Sequence, residues 1–324
     1  MDLVEIGTNK NNIVKKHQDL VRNARYGLSD LSIKTLSILI SMVKKTDDSF
    51  KEYSIKLTDL KELIGAKSHN VDTYVDRMTT ELLSNPFMID DVNKVNWVTI
   101  AEYVRGSGVV KFEIHRKLKP YLLELNKNFL QYNITNILVL KSAYVIRLYE
   151  LCKDRYLEGT RYQKNKNIVF ELKISWLREH FQIPESYQYS SHIKKLIIEK
   201  AQKQFKEKTD ITFTYKEQKI GRKVDRLIIT VKENSKGSSD FLASRISFIK
   251  HIRDNYVNKI LVRTKDKQTN ETVLISVAKD GTLYNQKTAE TYTAKQGNTL
   301  WDWLYELAKD NKLEILRERG KDKY

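Results

Sequence analysis

The chain of 324 residues is long enough for two or three domains, and because 40% of its residues are hydrophobic it is expected to bury real cores. Lys and Arg number 58 against 41 Asp and Glu, and this net charge of +17 favours a polyanionic partner, with nucleic acid ahead of an anionic membrane surface. No run of uncharged apolar residues is long enough to span a membrane, and the single Cys152 excludes an intramolecular disulfide.

The first predicted domain, residues 1–135, has the element order of a winged helix. Residues 28–43 carry an apolar stripe at helical spacing, and residues 50–57 alternate weakly, as in a strand. A short helix and then a longer one follow, and the longer helix has four apolar residues on one face: Val71, Val75, Met78 and Leu82. Residues 97–104 and 109–114 flank a glycine-containing basic tip and predict a hairpin.

The second predicted domain, residues 136–233, repeats this order, although the residues themselves differ. A helix around Cys152 comes first, and its apolar spacing predicts a buried structural thiol. Residues 168–181 predict a strand and a short helix, and residues 211–215 and 227–231 alternate as a second hairpin. Between them lies a longer helix with five apolar residues expected on its buried face: Ile193, Leu196, Ile197, Ala201 and Phe205. The chain therefore carries a tandem repeat of one structural unit.

The remaining residues predict a linker and a third domain. Residues 234–240 are small and polar, which is typical of a flexible linker. Residues 241–324 predict a helix, a strand pair and a closing helix that carries Trp301. The aromatic residues of that helix form either the core of a packed domain or a surface for self-association or a partner, and an extra DNA contact is a further alternative. The expected fold class is α+β: two tandem winged-helix domains followed by a small α+β domain.

The second helix of a helix-turn-helix enters the major groove, so the face opposite its apolar stripe is expected to contact DNA. In the first domain this face holds four polar residues of suitable length: His69, Asn70, Thr73 and Arg77. A polar helix face is more often merely solvated. The repetition of the pattern and the basic hairpin tips nevertheless favour nucleic-acid binding.

The second domain is the electrostatic centre of the chain, because residues 136–235 hold 21 Lys and Arg against 12 Asp and Glu. Seven residues of its long helix are predicted to contact DNA: Ser191, His192, Lys194, Lys195, Gln202, Lys203 and Lys206. The hairpin tip adds Lys219, Arg222, Lys223 and Arg226, of which the last three are predicted to contact DNA. Lysine and arginine mainly contact phosphates, whereas the choice of sequence is expected to fall to residues that reach bases: His69, Asn70, Arg77, His192 and Gln202.

The sequence contains no recognisable catalytic pattern, so we expect a protein that is not an enzyme and needs no cofactor or metal. It has no Gly-x-x-x-x-Gly-Lys-Ser/Thr loop for a nucleotide phosphate. The six histidines are scattered, and the metal-binding histidine pair of nicking replication enzymes is missing. One cysteine cannot supply zinc-finger spacing. The 18 tyrosines are better explained as core and hairpin aromatics than as nucleophiles.

Three stretches of the chain carry a family likeness: residues 19–29 (DLVRNARYGLS), residues 143–151 (AYVIRLYEL), and residues 172–211, with WLRE, IPE, Tyr187, IIEKA and TDI. Together they resemble the initiator (Rep) proteins of iteron-containing theta-replicating plasmids. The resemblance covers roughly residues 10–233. The third stretch is the most specific, although no single short motif is diagnostic.

This resemblance implies two winged-helix domains that hold successive major grooves of one directly repeated site, the iteron. It implies initiation as a monomer, and repression of the protein's own promoter as a dimer joined through the first domain. Bound arrays bend DNA, help to melt an adjacent A+T-rich element, and recruit the host initiator and helicase without nucleotide hydrolysis. The strongest candidates for DNA contacts are Arg77, Lys195, Lys203 and Arg222.

Two other functions compete with this one. A transcriptional repressor with tandem winged helices and no role in replication would bind DNA in the same way, so the residues do not separate it from an initiator. A nicking replication enzyme would need a metal and a tyrosine nucleophile, and the histidine pattern argues against it. We expect a cytoplasmic protein, because the N-terminus lacks a signal-peptide pattern and cysteine is nearly absent. The resemblance implies that it is bacterial and plasmid-associated.

Overall fold

The computed structural model describes most of the chain, which forms two compact units. The described residues of the first unit end at Asn234, and those of the second begin at Phe248. The described residues are 13–58, 60, 71–103, 106–162, 167–187, 190–234, 248–249, 251–265, 272–292, 300–301, 303–305 and 307–308. Within these ranges, none of the helices has both the length and the apolar character needed to cross a bilayer. Apart from Asn234, the predicted linker over residues 234–240 lies outside the described residues.

The first winged helix occupies the beginning of the first unit, as predicted. Its elements are β1 (Ile13–His17), α1 (Gln18–Arg22), α2 (Asp30–Met42), β2 (Glu52–Lys56), α3 (Val71–Ser84), β3 (Phe87–Met88), β4 (Lys94–Val95), β5 (Val98–Tyr103), β6 (Val109–Ile114), a 3₁₀ turn (Arg116–Leu118), α4 (Lys119–Leu122), β7 (Phe129–Asn133) and α5 (Thr135–Leu138). Strands β2, β6 and β5 form an antiparallel sheet in that order. The predicted short helix before α3 lies mostly outside the described residues.

The helices of this winged helix follow the predicted pattern. α2 begins after Ser29, whose side chain accepts a hydrogen bond from the Ser32 amide at the helix start. In α3, the predicted face is buried at Val75, Met78 and Leu82. The apolar stripe thus packs inward and leaves the opposite face of α3 exposed.

A second, two-stranded sheet was not predicted. β1 pairs antiparallel with β7, from Ile13 opposite Asn133 to His17 opposite Phe129. These strands are far apart along the chain, so β7 brings the end of the first predicted domain back to its beginning. Both winged helices belong to the same compact unit, and the boundary between residues 135 and 136 stays a prediction.

The second winged helix repeats the predicted order of elements. It consists of α6 (Ala143–Tyr162), β8 (Ile168–Lys173), α7 (Ile174–His180), a helix α8 made of three consecutive stretches (Ser190–Ile193, Lys194–Glu199 and Lys200–Lys208), β9 (Ile211–Ile220) and β10 (Lys223–Glu233). Strand β10 lies between β8 and β9 in an antiparallel sheet. Cys152 is buried in α6, as its spacing indicated.

One residue of the predicted core is misplaced. Leu196 was expected on the buried face of α8, but it is 44% exposed, and Ile198 is buried instead. The middle stretch of α8, Lys194–Glu199, is a π-helix. Its hydrogen bonds join residues five apart rather than four, so Ile198 comes to lie beside Ile193 on the inner face.

The second unit is a small α+β domain, as expected. It contains an antiparallel sheet of β11 (Ile260–Lys265), β12 (Thr272–Val277) and β13 (Leu283–Asn285), with β12 in the middle. Residues 248–249 and 251–255 are helical, as are the described residues of 300–308. Trp301 and Tyr305 pack edge-on against Phe248, with ring centroids 6.0 and 5.6 Å apart, whereas Trp303 is partly exposed. Most of the aromatic cluster is therefore core.

A buried arginine ties the first unit together around α6. Arg147 is 4% exposed, and its guanidinium donates hydrogen bonds to the carbonyl oxygens of Ala24, Tyr26 and His180. It also lies over the rings of Tyr26 and Phe181, 3.7 and 4.6 Å from their centroids. Burial lowers the pKa of Arg147. The segment after α1, the helix α6 and the end of α7 thus meet at one side chain.

Replacing Arg147 by Met is expected to lower the free energy of unfolding by about 3 kcal/mol. The buried carbonyls of Ala24 and Tyr26 lose their donor, at about 1–3 kcal/mol each, whereas the His180 carbonyl still accepts from the Tyr26 amide. Urea denaturation followed by circular dichroism measures this loss. Arg161→Met is the matched control, since Arg161 is exposed on the last turn of the same helix, and it should change stability by less than about 0.5 kcal/mol. Equal losses in the two variants would contradict the role given to Arg147.

Candidate nucleic-acid interface

The buried face of α8 determines which of its residues point outward. Phe205 packs edge-on against Phe213 of β9 and Tyr149 of α6, with ring centroids 5.3 and 5.6 Å apart. Ile193 and Ile197 are fully buried on the same side. Because this side is held against both the sheet and α6, the opposite side of the helix faces solvent.

Five predicted contact residues are exposed on α8: Ser191, His192, Lys195, Lys203 and Lys206. Lys200, which was not singled out from the sequence, is exposed as well, and the exposed acidic residues of the helix are Glu199 and Glu207. The outward surface of α8 is therefore positively charged and carries hydrogen-bonding groups, as a helix that enters a DNA groove requires.

Two predicted contact residues fasten α8 to the neighbouring strand instead. The ammonium group of Lys194 lies 2.7 Å from the carboxylate of Glu217 in β9, and this hydrogen bond raises the pKa of Lys194. The side-chain amide of Gln202 donates to the carbonyl oxygen of Phe213 at 3.1 Å. Both side chains thus have partners within the fold, which orient the helix relative to the hairpin. Whether they also contact DNA stays a prediction.

The tip of the β9–β10 hairpin, here called the wing tip, consists of residues 219–223 and is exposed throughout. Gly221 has a φ of +60°, a value that glycine adopts without strain and that suits a two-residue hairpin turn. Its neighbours Arg222 and Lys223 are the predicted contact residues, and Lys219 adds a third cation. The turn therefore holds three positive charges at the end of a long hairpin, whose register shifts between Val224 and Arg226.

Arg226 lies further along β10 and is paired. Its guanidinium donates to the carboxylates of Asp225 and Glu171, at 2.8 and 2.7 Å, and these hydrogen bonds raise the pKa of Arg226. The Glu171 contact links β10 to β8, the strand on the far side of the wing. The positive charge of Arg226 is partly offset by these two carboxylates, so Arg226 is a weaker candidate for a phosphate contact than Arg222 or Lys223.

The helix and the wing together line one cleft. From α8 it is bordered by Ser191, Lys194 and Ile198, and from the hairpin by Glu217, Lys219, Arg222 and Val224. Cationic side chains from two separate elements thus converge on one concave surface. A basic helix beside a basic hairpin can contact a groove and the phosphates next to it.

The corresponding helix of the first winged helix is α3, and its surface differs in charge. Thr73 and Arg77 are exposed on it, as predicted, while His69 and Asn70 lie outside the described residues. Asp72 and Asp76 are exposed on the same helix. One arginine among two carboxylates makes this surface less attractive to a polyanion than that of α8, because carboxylates repel phosphates.

Side-chain contacts hold α3 at both ends. The Tyr103 hydroxyl donates to Asp72 at 2.6 Å, which joins the start of α3 to β5. Near the end of the helix, the Glu81 carboxylate accepts hydrogen bonds from the backbone and side chain of Ser29 and from the Ser32 hydroxyl, at the beginning of α2. These contacts orient the exposed face of α3 with respect to the rest of the winged helix.

The described residues show no grouping of three His, Cys, Asp or Glu side chains suited to a metal ion. Cys152 is fully buried, and burial raises the pKa of its thiol far above the usual range. The thiolate is the reactive form of cysteine, and a raised pKa keeps the thiol protonated. Cys152 is therefore an unreactive residue of the core.

Comparisons with known proteins agree with this geometry. Residues 13–153 match the family described as initiator replication protein, WH1, and residues 173–231 match the family described as initiator Rep protein, WH2. Among solved structures, the Pi initiator protein in complex with iteron DNA aligns with a TM-score of 0.54 at 17% sequence identity. The alignment covers 70% of this chain and 99% of that one, and it shows a shared fold.

Loss of the charge of Lys203 is expected to weaken binding to any duplex DNA and to reduce the slope of log Kd against log salt by about one. Lys203→Ala and the control Lys232→Ala remove the same charge, but Lys232 lies near the end of β10 remote from the wing tip. Fluorescence anisotropy at several salt concentrations measures both variants. Equal effects of the two substitutions would mean that net charge, and not the outward face of α8, determines affinity.

Proposed function

The chain belongs to the Rep family of initiator replication proteins, and we propose that it starts plasmid replication by binding directly repeated duplex sites, the iterons, at the origin. One observation carries this proposal: a single compact unit contains two winged helices, each with an exposed second helix. The Pi initiator protein, which shares this fold, has been solved in complex with iteron DNA.

In the proposed complex each winged helix uses a different kind of surface. α8 enters one major groove, where Lys195, Lys203 and Lys206 neutralise flanking phosphates and the wing tip extends to the next backbone segment. α3 enters a neighbouring major groove, about one helical turn or 34–36 Å away, where Arg77 forms a bidentate contact to guanine. The second winged helix thus supplies most of the electrostatic affinity, and the first adds a base contact that contributes to selectivity.

We further propose that the chain is not an enzyme. In this proposal, free energy for opening the adjacent A+T-rich element comes from DNA bending and from tighter binding to the deformed origin, and no phosphodiester bond is cut. The buried, unreactive state of Cys152 is consistent with this proposal.

The same proposal includes protein partners that follow from the family resemblance. The host initiator and the replicative helicase are recruited to the array of bound chains in the bacterial cytoplasm. A dimer joined through the first winged helix represses the protein's own promoter, so the balance between monomer and dimer limits plasmid copy number. The domain formed by residues 241–324 is a candidate surface for one of these partners.

The direct test is DNase I footprinting of the purified protein on a supercoiled plasmid that carries the region around its own gene. We expect evenly spaced protection over several direct repeats beside an A+T-rich stretch, with no strand broken. The same plasmid, incubated with Mg²⁺ and deproteinised before electrophoresis, serves as the nicking control.

Other footprints would contradict the proposal in different ways. Protection of a single inverted repeat over a promoter would favour a transcriptional repressor without a replication role. A site-specific nick with a protein–DNA adduct would show that the chain is an enzyme. Protection that does not depend on sequence would remove iteron recognition altogether.

A further inference from the structure

The outward surface of α8 carries one large apolar side chain among its charges. Leu196 is 44% exposed and follows Lys195 directly, with His192 and Lys200 one turn away on either side. Exposing a leucine to water is unfavourable by up to about 1.5–3 kcal/mol relative to burial. Val169, another exposed apolar residue, lies on strand β8 instead.

The backbone of α8 places Leu196 there. Leu196 comes three residues after Ile193, and in a regular α-helix this spacing would place it on the edge of the buried face. The π-helical stretch Lys194–Glu199 instead brings Ile198, five residues after Ile193, into the core. Ile197 and Ile198 then fill the space beneath the helix, and Leu196 is turned outward. Short π-helical stretches are rare and occur frequently at functional sites.

The neighbours of Leu196 narrow down what it can contact. Lysine contacts to phosphates carry no direct sequence information. On the base edges of the major groove, the one apolar group is the C5-methyl of thymine, and apolar side chains contact it. A leucine between cations on a groove-binding helix is therefore complementary to a methyl group flanked by phosphates.

We propose that Leu196 packs against the methyl group of a thymine in the bound site and thereby selects A·T at that position. This inference rests on the proposed binding of duplex DNA through α8. It makes Leu196 a specificity-determining residue, in addition to the polar residues that the sequence singled out.

Thymine-to-uracil replacement tests the contact, since deoxyuridine differs from thymidine by that methyl group alone. The probe is a duplex with the sequence that the wild-type protein protects in the footprint, with each thymine replaced singly. One thymine is expected to matter: its replacement should weaken wild-type binding about four-fold, the effect of one buried methyl group. The same replacement should change the affinity of Leu196→Ala by less than about 1.5-fold, because the contact is already lost.

Two further variants serve as controls. Leu196→Met keeps an apolar side chain of similar volume and should retain most of the uracil effect. Val169→Ala removes exposed apolar atoms outside the proposed interface and should retain all of it. Thermal melts of the four proteins verify that each is folded.

Two results would overturn the inference while leaving the proposed function intact. In the first, the wild-type protein binds specifically, but no single uracil replacement weakens its binding. This result can be interpreted without any variant. The second is an equal uracil effect in wild type and Leu196→Ala, which assigns the methyl contact to another residue. Absence of any specific binding by the wild-type protein would instead refute the proposed function itself.

Discussion

The buried guanidinium of Arg147 is the contact on which the rest of the first unit depends. Its charge is removed from water and stabilised by three carbonyl oxygens and two aromatic faces. One turn further along α6, the buried Glu150 accepts hydrogen bonds from Lys16, at 2.6 Å, and from Tyr132. A buried charge that loses its partner is strongly destabilising, so these two anchors allow few other arrangements of the strands and helices around α6.

Both exposed helices are positioned through this centre. The Arg147 contacts fix the backbone up to Tyr26, and three residues later Ser29 binds Glu81 of α3. On the other side of α6, the ring of Tyr149 packs against Phe205 of α8. A shift of α6 would therefore move α3 and α8 together, which is how a single chain can present two helices to one DNA site with a fixed spacing.

Much of this architecture could be predicted because its elements are long and strongly periodic. The stripe that includes Val75, Met78 and Leu82 can only be satisfied by a helix buried on one side, and the alternation in β9 and β10 only by a hairpin. The pairing of β1 with β7 could not be predicted, since five-residue strands separated by more than a hundred positions leave no local signal. Leu196 was placed wrongly because a regular helical period does not apply within a π-helical stretch.

The candidate interface could be predicted in outline but not in its electrostatic detail. The sequence shows how many cations the second winged helix carries, and the exposed lysines of α8 lie where the pattern placed them. It does not show that Lys194 is paired with Glu217 or Arg226 with Glu171, because these contacts cross between elements. The cations left on the outward face and the wing tip are those available to a polyanion.

The affinity for a site lengthened by half a helical turn tests most directly whether the two winged helices, fixed to α6, bind one site as a unit. Hydroxyl-radical footprinting first locates the two contacted major-groove segments, and about five base pairs are then inserted between them. We expect binding to fall at least about ten-fold, toward the non-specific level, and to recover in part when the insertion is a full turn. Unchanged affinity after the half-turn insertion would show that the two winged helices are not held in a fixed relation by α6.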